Sequence, residues 1–197
     1  MTAQPAFYFD LVSPEAYLAA ERVMQALPVV AEWVPVQARD LPAADTFVGF
    51  RCETDREAFL ERYVRAAAAR GLQPLRWPHP FPFDSSFAML VATYAKQLGK
   101  TVPFALAAFR QAFAGGRDLG VRDNVLIAAS ACEMHPAAVV KAAELRSVAE
   151  ALAAATAAAS DRGVRDVPAV WLPDGRVFHD DHGVDEAARA LAQPSTA

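Results

Sequence analysis

Residues 6–20 read AFYFDLVSPEAYLAA and contain the transition on which the fold assignment depends. Residues 6–11 form a short, aromatic-rich run bounded by prolines, which is typical of a buried β-strand. From Pro14 to Leu27 the apolar residues recur at helical spacing. Serine is a preferred N-cap residue and proline is favoured in the first helical turn. The stretch therefore predicts a strand that turns directly into a helix at Ser13.

A second strand is predicted to follow this helix. Residues 29–36 read VVAEWVPV, and Pro35 indicates the end of a strand or an edge position, because proline cannot donate to a strand ladder. A strand–helix–strand unit of this kind has parallel strands and a right-handed crossover.

The middle of the chain has helical patterns and no convincing strand. A loop is predicted at 72–86, LQPLRWPHPFPFDSS, whose four prolines exclude regular structure. Helical patterns cover residues 55–70, 86–98, 102–116, 123–132, 136–146 and 147–162. The last of these begins with SVAE, a capping-box pattern of Ser147 and Glu150.

Strand patterns return near the C-terminus. Residues 167–172 (VPAVWL) and 176–179 (RVFH), separated by an Asp-Gly turn at 174–175, predict a hairpin. A short helix at 185–193 ends the pattern. The order βαβ, helical block, ββα predicts an α/β thioredoxin fold with a large all-helical insertion. The predicted thioredoxin-like domain comprises residues 1–50 and 160–197, and the insertion comprises residues 51–159.

Composition narrows the classes of function. Apolar residues make up 54% of the 197, and the net charge of −4 gives no electrostatic case for binding nucleic acid or an anionic membrane. The alanine-rich segments are too short and too weakly apolar to span a bilayer. The N-terminus lacks the features of a signal peptide, which favours the cytoplasm. Cys52 and Cys132 are expected to be unpaired thiols, although spacing alone does not exclude a disulfide. The four histidines have no zinc-ligand spacing, so no metal site is expected.

Four stretches carry a resemblance to a known family: FYFDLVSPEAYLAA, GLQPLRWPHPFPFDS, FALAAFRQAFAGGRDL and DRGVRDVPAVWL. The chain resembles the 2-hydroxychromene-2-carboxylate isomerases and kappa-class glutathione transferases, within the DsbA-like branch of the thioredoxin fold. The resemblance implies glutathione as cofactor and a possible homodimer. It also implies that Ser13 replaces the nucleophilic cysteine of the CxxC enzymes. The tetrad here is SPEA, which leaves no thiol for disulfide exchange.

The resemblance also implies roles for particular residues. The Ser13 hydroxyl would stabilise the thiolate of glutathione, and a cis Val167-Pro168 bond would let Val167 pair with its cysteinyl part. The structural alternatives are a simple helix N-cap at Ser13 and a proline that merely begins a strand. Relatives bind the amino end of glutathione with a Gly-(Ser/Asn)-Asp-Arg type turn. This chain instead has DDHG at 180–183. Read without gaps, Asp181 and His182 stand at the Ser/Asn and Asp positions, whereas a one-residue shift would place Asp180 and Asp181 there. Asp181 and His182 are the candidates for the amino end of glutathione, and the structural alternative is solvated acids that cap the last helix.

Two further departures concern glutathione. Glu15 stands where relatives usually carry an aromatic residue, and its charge would repel a thiolate. Residues 43–54 lack the Asn-x-Pro motif of the kappa relatives, and Arg51 and Arg56 are possible carboxylate partners there.

Arg76, Trp77 and Phe81 lie in the proline-rich loop and are the candidate substrate-binding residues. Their alternative role is to fill the junction between the two domains. The sequence therefore favours glutathione-dependent isomerase or transferase chemistry on an aromatic or electrophilic small molecule. The alternative is a small-molecule binding protein that has kept the thioredoxin fold and lost glutathione binding and catalysis.

Overall fold

The computed structural model describes residues 4–43 and 52–193. The regular elements are β1 (Ala6–Phe9), α1 (Pro14–Ala20), α2 (Val23–Ala26), β2 (Glu32–Pro35), a short 3₁₀ helix (Ala38–Asp40), α3 (Glu53–Ala69), α4 (Ser86–Gln97), α5 (Thr101–Phe113), α6 (Arg122–Ala131), α7 (Pro136–Ala143), α8 (Arg146–Asp161), β3 (Ala169–Trp171), β4 (Val177–His179) and α9 (His182–Ala192).

The four strands form one sheet in the order β2-β1-β3-β4. Strand β1 pairs parallel with β2, and Ala6 lies opposite Glu32. Strand β3 pairs antiparallel with β1 and with β4. This mixed sheet, with the βαβ unit first and the ββα unit last, is the predicted thioredoxin fold.

Both faces of β1 are buried, and this explains why the strand is apolar throughout. Phe7 and Phe9 face the larger core, where the Phe9 ring lies 5.9 Å from the ring of Phe109 on α5. Ala6 and Tyr8 face the opposite side, in a smaller cluster that includes Ala159 of α8. A strand covered on both faces reads as a continuous apolar run.

Helices α3 to α8 follow β2 and precede β3, as expected for a helical insertion. The larger core is continuous from the sheet into these helices. Within residues 4–43 and 52–193, no helix has the length and apolar character needed to cross a bilayer.

Element boundaries differ from the sequence prediction by a few residues, and three of the differences concern the helix that follows β1, helix α9 and the capping box of α8. The helix predicted at 14–27 is two helices, α1 and α2, because the backbone departs from helical geometry at Arg22 (φ −127°, ψ −20°). Helix α9 begins at His182 rather than 185. Helix α8 begins at Arg146 with Leu145 at its N-cap, so the capping box predicted at Ser147 does not form.

Candidate functional site

Ser13 lies at the junction of β1 and α1 and is the N-cap of that helix. Its hydroxyl accepts a hydrogen bond from the Ala16 amide at 3.1 Å. The same hydroxyl donates to the carbonyl oxygen of Val167 at 3.3 Å. Ser13 is 2% exposed. Residues 154 positions apart therefore meet at one hydrogen bond, as required by the site that the sequence predicted.

The loop that carries Val167 is held from several sides. The Val167–Pro168 bond is cis, which confirms the expectation from the resemblance. The Val167 amide donates to the carboxylate of Asp166 at 2.7 Å. The Pro168 carbonyl accepts from the Asp180 amide at 3.0 Å. Both polar backbone groups of Val167 thus have partners within the chain, so a bound peptide would have to displace Asp166 to pair with the amide.

His179 fixes the start of the same loop. Its Nε2 accepts a hydrogen bond from the Arg165 amide at 3.0 Å, which requires that this nitrogen carry no proton. Burial lowers the pKa of His179, against the opposite effect of the nearby Asp166 and Asp180 carboxylates. The neutral imidazole is therefore part of the loop structure.

Glu15 lies in the first turn of α1, two residues after Ser13. Burial raises its pKa, while Arg62 lowers it and Asp180 and Asp166 raise it further. The Tyr63 hydroxyl of α3 donates to Glu15 Oε2 at 3.4 Å. Tyr63 itself accepts a hydrogen bond from Arg62, and burial and the Glu15 charge raise the pKa of the phenol. The departure from the aromatic residue of relatives thus places a carboxyl group, with Tyr63 and Arg62 as partners, beside Ser13.

Asp181 and His182 have different environments. The Asp181 side chain is buried and is bonded to Arg70, the C-cap residue of α3. Its other oxygen lies 3.4 Å from Arg22 Nε in an ion-pair contact without hydrogen-bond geometry. His182 is exposed as the first residue of α9. The Asp181 carboxylate therefore already has two cationic partners, and an incoming ammonium group would have to compete with them.

The glycine of the DDHG turn has a packing role. A Cβ atom built on Gly183 would lie 2.8 Å from the carbonyl carbon of Phe178 and 3.1 Å from its oxygen. A Cβ contact of 2.8 Å is shorter than real side chains show, so another residue at 183 would force α9 to move away from β4. Although the DDHG turn departs from the motif of the relatives, the packing of α9 on β4 constrains the residue at position 183.

Of the candidate substrate residues, Trp77 and Phe81 lie in one aromatic cluster and Arg76 lies beside it. The ring centroid of Trp77 is 4.9 Å from that of Phe81 and 6.4 Å from that of Tyr63. The Arg76 side chain is exposed, and its amide donates to the Phe113 carbonyl. The Trp77 indole Nε1 is buried without a hydrogen-bond partner among the described residues. Through Tyr63, this cluster reaches Glu15 and so the neighbourhood of Ser13.

A cavity of about 240 Å³ lies against the turn that leads into Ser13. Its lining comprises Asp10, Val12, Gln37, Arg39, Pro82, Phe83, Asp84 and Ser85. Asp10 in this lining was not a predicted site residue, although a carboxylate at the end of an apolar strand is a visible signal. Tyr63, Arg62, Arg22 and Arg70 were also missed, and nothing in their helical patterns distinguishes them from surface residues.

The remaining candidate residues have ordinary environments. Arg56 pairs with Glu53 on its own helix at 2.9 Å, and Arg51 lies outside the described residues. Cys52 is exposed and Cys132 half-buried, and both are free thiols. No group of three or more histidine, cysteine, aspartate or glutamate residues within 4–43 and 52–193 could hold a metal ion.

Comparison with known proteins places this geometry in a family. Residues 6–192 match the DSBA-like thioredoxin domain, and no curated protein matches the chain. A solved 2-hydroxychromene-2-carboxylate isomerase is similar with a TM-score of 0.81 and 19% identity, over 96% of this chain and 95% of that one. A probable DsbA oxidoreductase from Streptomyces coelicolor has a TM-score of 0.78 and 18% identity, over 96% and 88%.

A third similar structure is the cytosolic disulfide reductase DsbM from Pseudomonas aeruginosa with GSH. It has a TM-score of 0.66 and 14% identity, and the match covers 96% of each chain. At these identities the structural likenesses establish the fold alone. Because the domain match spans nearly the whole length, the chain belongs to the family of DsbA-like thioredoxin domains.

Proposed function

We propose that this protein is a glutathione-dependent isomerase or transferase of the 2-hydroxychromene-2-carboxylate isomerase kind, acting in the cytoplasm on an aromatic or electrophilic small molecule. The observation that carries the proposal is the hydrogen bond from the Ser13 hydroxyl to the Val167 carbonyl. It brings together the hydroxyl that would contact the cofactor sulfur and the peptide that would hold the tripeptide. The fold likeness to the isomerase supports the same function.

The fit to glutathione differs between the thiol and the amino end of the tripeptide. At the thiol, the Ser13 hydroxyl can exchange its bond to Val167 for one to sulfur. Val167 and Pro168 would then hold the cysteinyl part. At the amino end, Asp181 and His182 are the proposed contacts, with the Asp181 carboxylate shared between the ligand and Arg70. The residues present therefore fit the thiol better than the amino group.

When bound, glutathione would supply a thiolate for reversible addition to an electrophilic carbon of the substrate. Ser13 would favour the thiolate over the thiol by donating a hydrogen bond to sulfur, since hydrogen bonding to the charged form lowers a pKa. Trp77 and Phe81 would present aromatic faces to a planar substrate, and Arg76 would pair with an acidic group on it. The Trp77 N–H, which is buried without a partner among the described residues, could donate to a substrate oxygen.

Calorimetric titration with glutathione tests the proposal directly. We expect binding at millimolar or lower concentration that weakens at least about tenfold in Ser13→Ala, the loss of one hydrogen bond to a charged group. Ser130→Ala, at an exposed serine of α6, is the matched control and should bind as the wild type does. S-methylglutathione separates the contribution of the peptide to binding from that of the thiolate, because it retains the peptide and cannot form a thiolate. No binding of glutathione by the wild type would contradict the proposal.

The alternative is a small-molecule binding protein of the same fold that does not use glutathione. The pairing of Asp181 with Arg22 and Arg70 and of the Val167 amide with Asp166 favours it, because both groups are occupied by the chain itself. A wild-type protein that binds planar aromatic acids but not glutathione would support this second function.

A further inference from the structure

Asp10 is a buried carboxylate that the proposed chemistry does not use. It follows the last residue of β1 and is 1% exposed. Its Oδ1 accepts from the Val12 amide at 3.1 Å, and its Oδ2 accepts from the Ala38 amide at 2.9 Å. The Asp10 carbonyl accepts from the Ser13 amide at 3.1 Å. Side chain and backbone of this one residue therefore hold the whole turn from β1 into Ser13.

The carboxylate is also the end of a buried polar chain. Ser85, just before α4, lies close enough to the Asp10 carboxylate to lower its pKa. The side-chain Nε2 of Gln37 donates to Ser85 Oγ at 3.4 Å. The backbone amide of Gln37 donates to the Thr156 hydroxyl of α8 at 2.9 Å. The chain of contacts links the Ser13 turn to the segment after β2 and to two helices of the insertion. All four side chains are buried.

The arrangement requires two acceptor oxygens, which an ionised carboxylate supplies. An amide at this position would turn an N–H toward one of the two backbone amides, and a buried donor facing a donor is costly. Protonation of the acid would leave one of its two oxygens a weaker acceptor. Burial acts in the opposite direction and raises the pKa of Asp10, while the Ala38 and Val12 amides and Ser85 lower it.

We propose that Asp10 is the positioning residue of the Ser13 site: its ionised carboxylate, through Val12 and Ala38, holds the Ser13 hydroxyl against the Val167 carbonyl. Neutralising Asp10 releases one of the two backbone amides and moves the turn, and the Ser13 hydroxyl moves with it. That the Ser13 hydroxyl contacts a ligand rests on the proposed function. That Asp10 fixes the position of this hydroxyl is independent of the proposed function.

The first test therefore uses no ligand. In Asp10→Asn, we expect native-state hydrogen exchange at the Ala16 amide, which is bonded to Ser13 Oγ, to accelerate at least about tenfold. The exchange rate of the Phe7 amide, in the core of the sheet, should change only as far as the global stability changes. Asp84→Asn removes the other carboxylate in the cavity lining and should leave Ala16 protected. Thr156→Val breaks the far end of the polar chain and controls for a general loss of stability.

A pH titration of the wild type keeps the test independent of whether Asp10→Asn folds. The Ala16 exchange rate, corrected for its intrinsic pH dependence, should rise as pH falls through the pKa of Asp10. The charged groups that face Asp10 are Arg39 and Asp84 in the cavity lining. This rise in the Ala16 exchange rate should therefore persist in Asp84→Asn and be absent from Asp10→Asn.

The second test asks whether the positioning matters for the ligand. Glutathione affinity should fall about tenfold in Asp10→Asn, the effect of a lost charge-assisted hydrogen bond. In a Ser13→Ala background, Asp10→Asn should cause little further loss, because both changes act through one hydroxyl. Unchanged Ala16 protection in Asp10→Asn, or an equal change in Thr156→Val at matched stability, would overturn the proposal. Failure of the wild type to bind glutathione would instead overturn the proposed function and leave the exchange result standing.

Discussion

At the scale of single residues, the site differs from a simple thiolate-binding turn by the carboxyl group of Glu15. Ser13 offers a hydroxyl to stabilise negative charge, while Glu15, two residues later in the same turn, introduces negative charge beside it. The Tyr63 hydroxyl and Arg62 offset part of that charge. The balance between Ser13 and Glu15 should therefore set the pKa of a bound thiol.

Replacement of Glu15 by glutamine should make the site a better thiolate binder. The amide oxygen of the glutamine side chain would still accept a hydrogen bond from Tyr63, and the side chain would no longer repel the sulfur. We expect the pKa of the bound glutathione thiol to fall by about one unit, the size of shift that a nearby like charge produces. The ultraviolet absorbance of the thiolate, followed against pH with saturating glutathione, measures this pKa.

The control for this change is Glu186→Gln, at an exposed glutamate of α9. It removes the same charge from a different surface, so it should leave the thiol pKa unchanged within the error of the titration. An equal fall in both variants would mean that net charge, rather than the position of Glu15, governs the thiolate. An unchanged or raised pKa in Glu15→Gln would contradict the role given to Glu15.

At the scale of elements, the sequence predicted those whose signals are local. The strand of residues 6–9, the Asp-Gly hairpin and the Ser13 N-cap each depend on neighbouring residues, and all three are present. The break between α1 and α2 lies at Arg22, whose side chain donates to the Asp181 carbonyl 159 positions away. No helical periodicity contains that information, and so the sequence predicted one continuous helix.

The same difference between local signals and long-range contacts explains which residues of the candidate site could be predicted from the sequence. Ser13 and Val167 were predicted to meet because each has a local signature, an N-cap serine and a proline at a strand start, within one recognisable fold. Asp10 contacts Ala38 across 28 positions, and Tyr63 contacts Glu15 across 48. These long-range partners have ordinary sequence surroundings, so only the folded chain reveals them.

The loop that carries Val167 should be sensitive to pH through His179. Because the pKa of His179 is lowered in the folded protein, its contribution to stability is complete above its ordinary value of about 6.5. That contribution is lost as pH falls below this value through the folded pKa, when protonated Nε2 can no longer accept the Arg165 amide. We expect the free energy of unfolding to decrease by about 1 kcal/mol over this window.

Urea unfolding of matched variants isolates this effect. His179→Ala should be less stable than the wild type near neutral pH, and the difference should narrow as pH decreases. His135→Ala, at an exposed histidine before α7, should keep the full pH dependence. If the free energy of unfolding of His179→Ala falls with pH as steeply as that of the wild type below neutral pH, a group other than His179 is responsible for the titration.

At the scale of the whole molecule, one buried carboxylate joins three separate parts of the chain. Asp181 precedes α9, Arg22 lies between α1 and α2, and Arg70 ends α3 in the helical insertion. Burial and the nearby Arg22 lower the pKa of Arg70. The sheet and the insertion also share a continuous apolar core. This ion network and the hydrogen bond from Tyr63 to Glu15 are polar contacts that tie α3 to the candidate site.

Asp181→Asn should therefore destabilise the protein strongly, by about 3 kcal/mol, because it leaves two partly buried arginines without their buried counter-charge. Asp185→Asn is the matched control. Asp185 pairs with Arg22 at 2.7 Å but is half-exposed, so its loss should cost less than about 1 kcal/mol. Urea unfolding at neutral pH measures both values. Equal costs would show that the buried network contributes no more than a surface pair.

Glutathione affinity then separates the structural role of Asp181 from a binding role. Arg70→Met removes one cationic partner and leaves the Asp181 carboxylate with Arg22, so a ligand ammonium would meet less competition. If Asp181 also binds the amino end of glutathione, Arg70→Met should bind more tightly than the wild type, and Asp181→Asn more weakly. If Asp181 is only structural, both variants should weaken binding in proportion to their loss of stability. Opposite signs in the two variants would thus establish a direct contact, since a loss of folding alone shifts both affinities in the same direction.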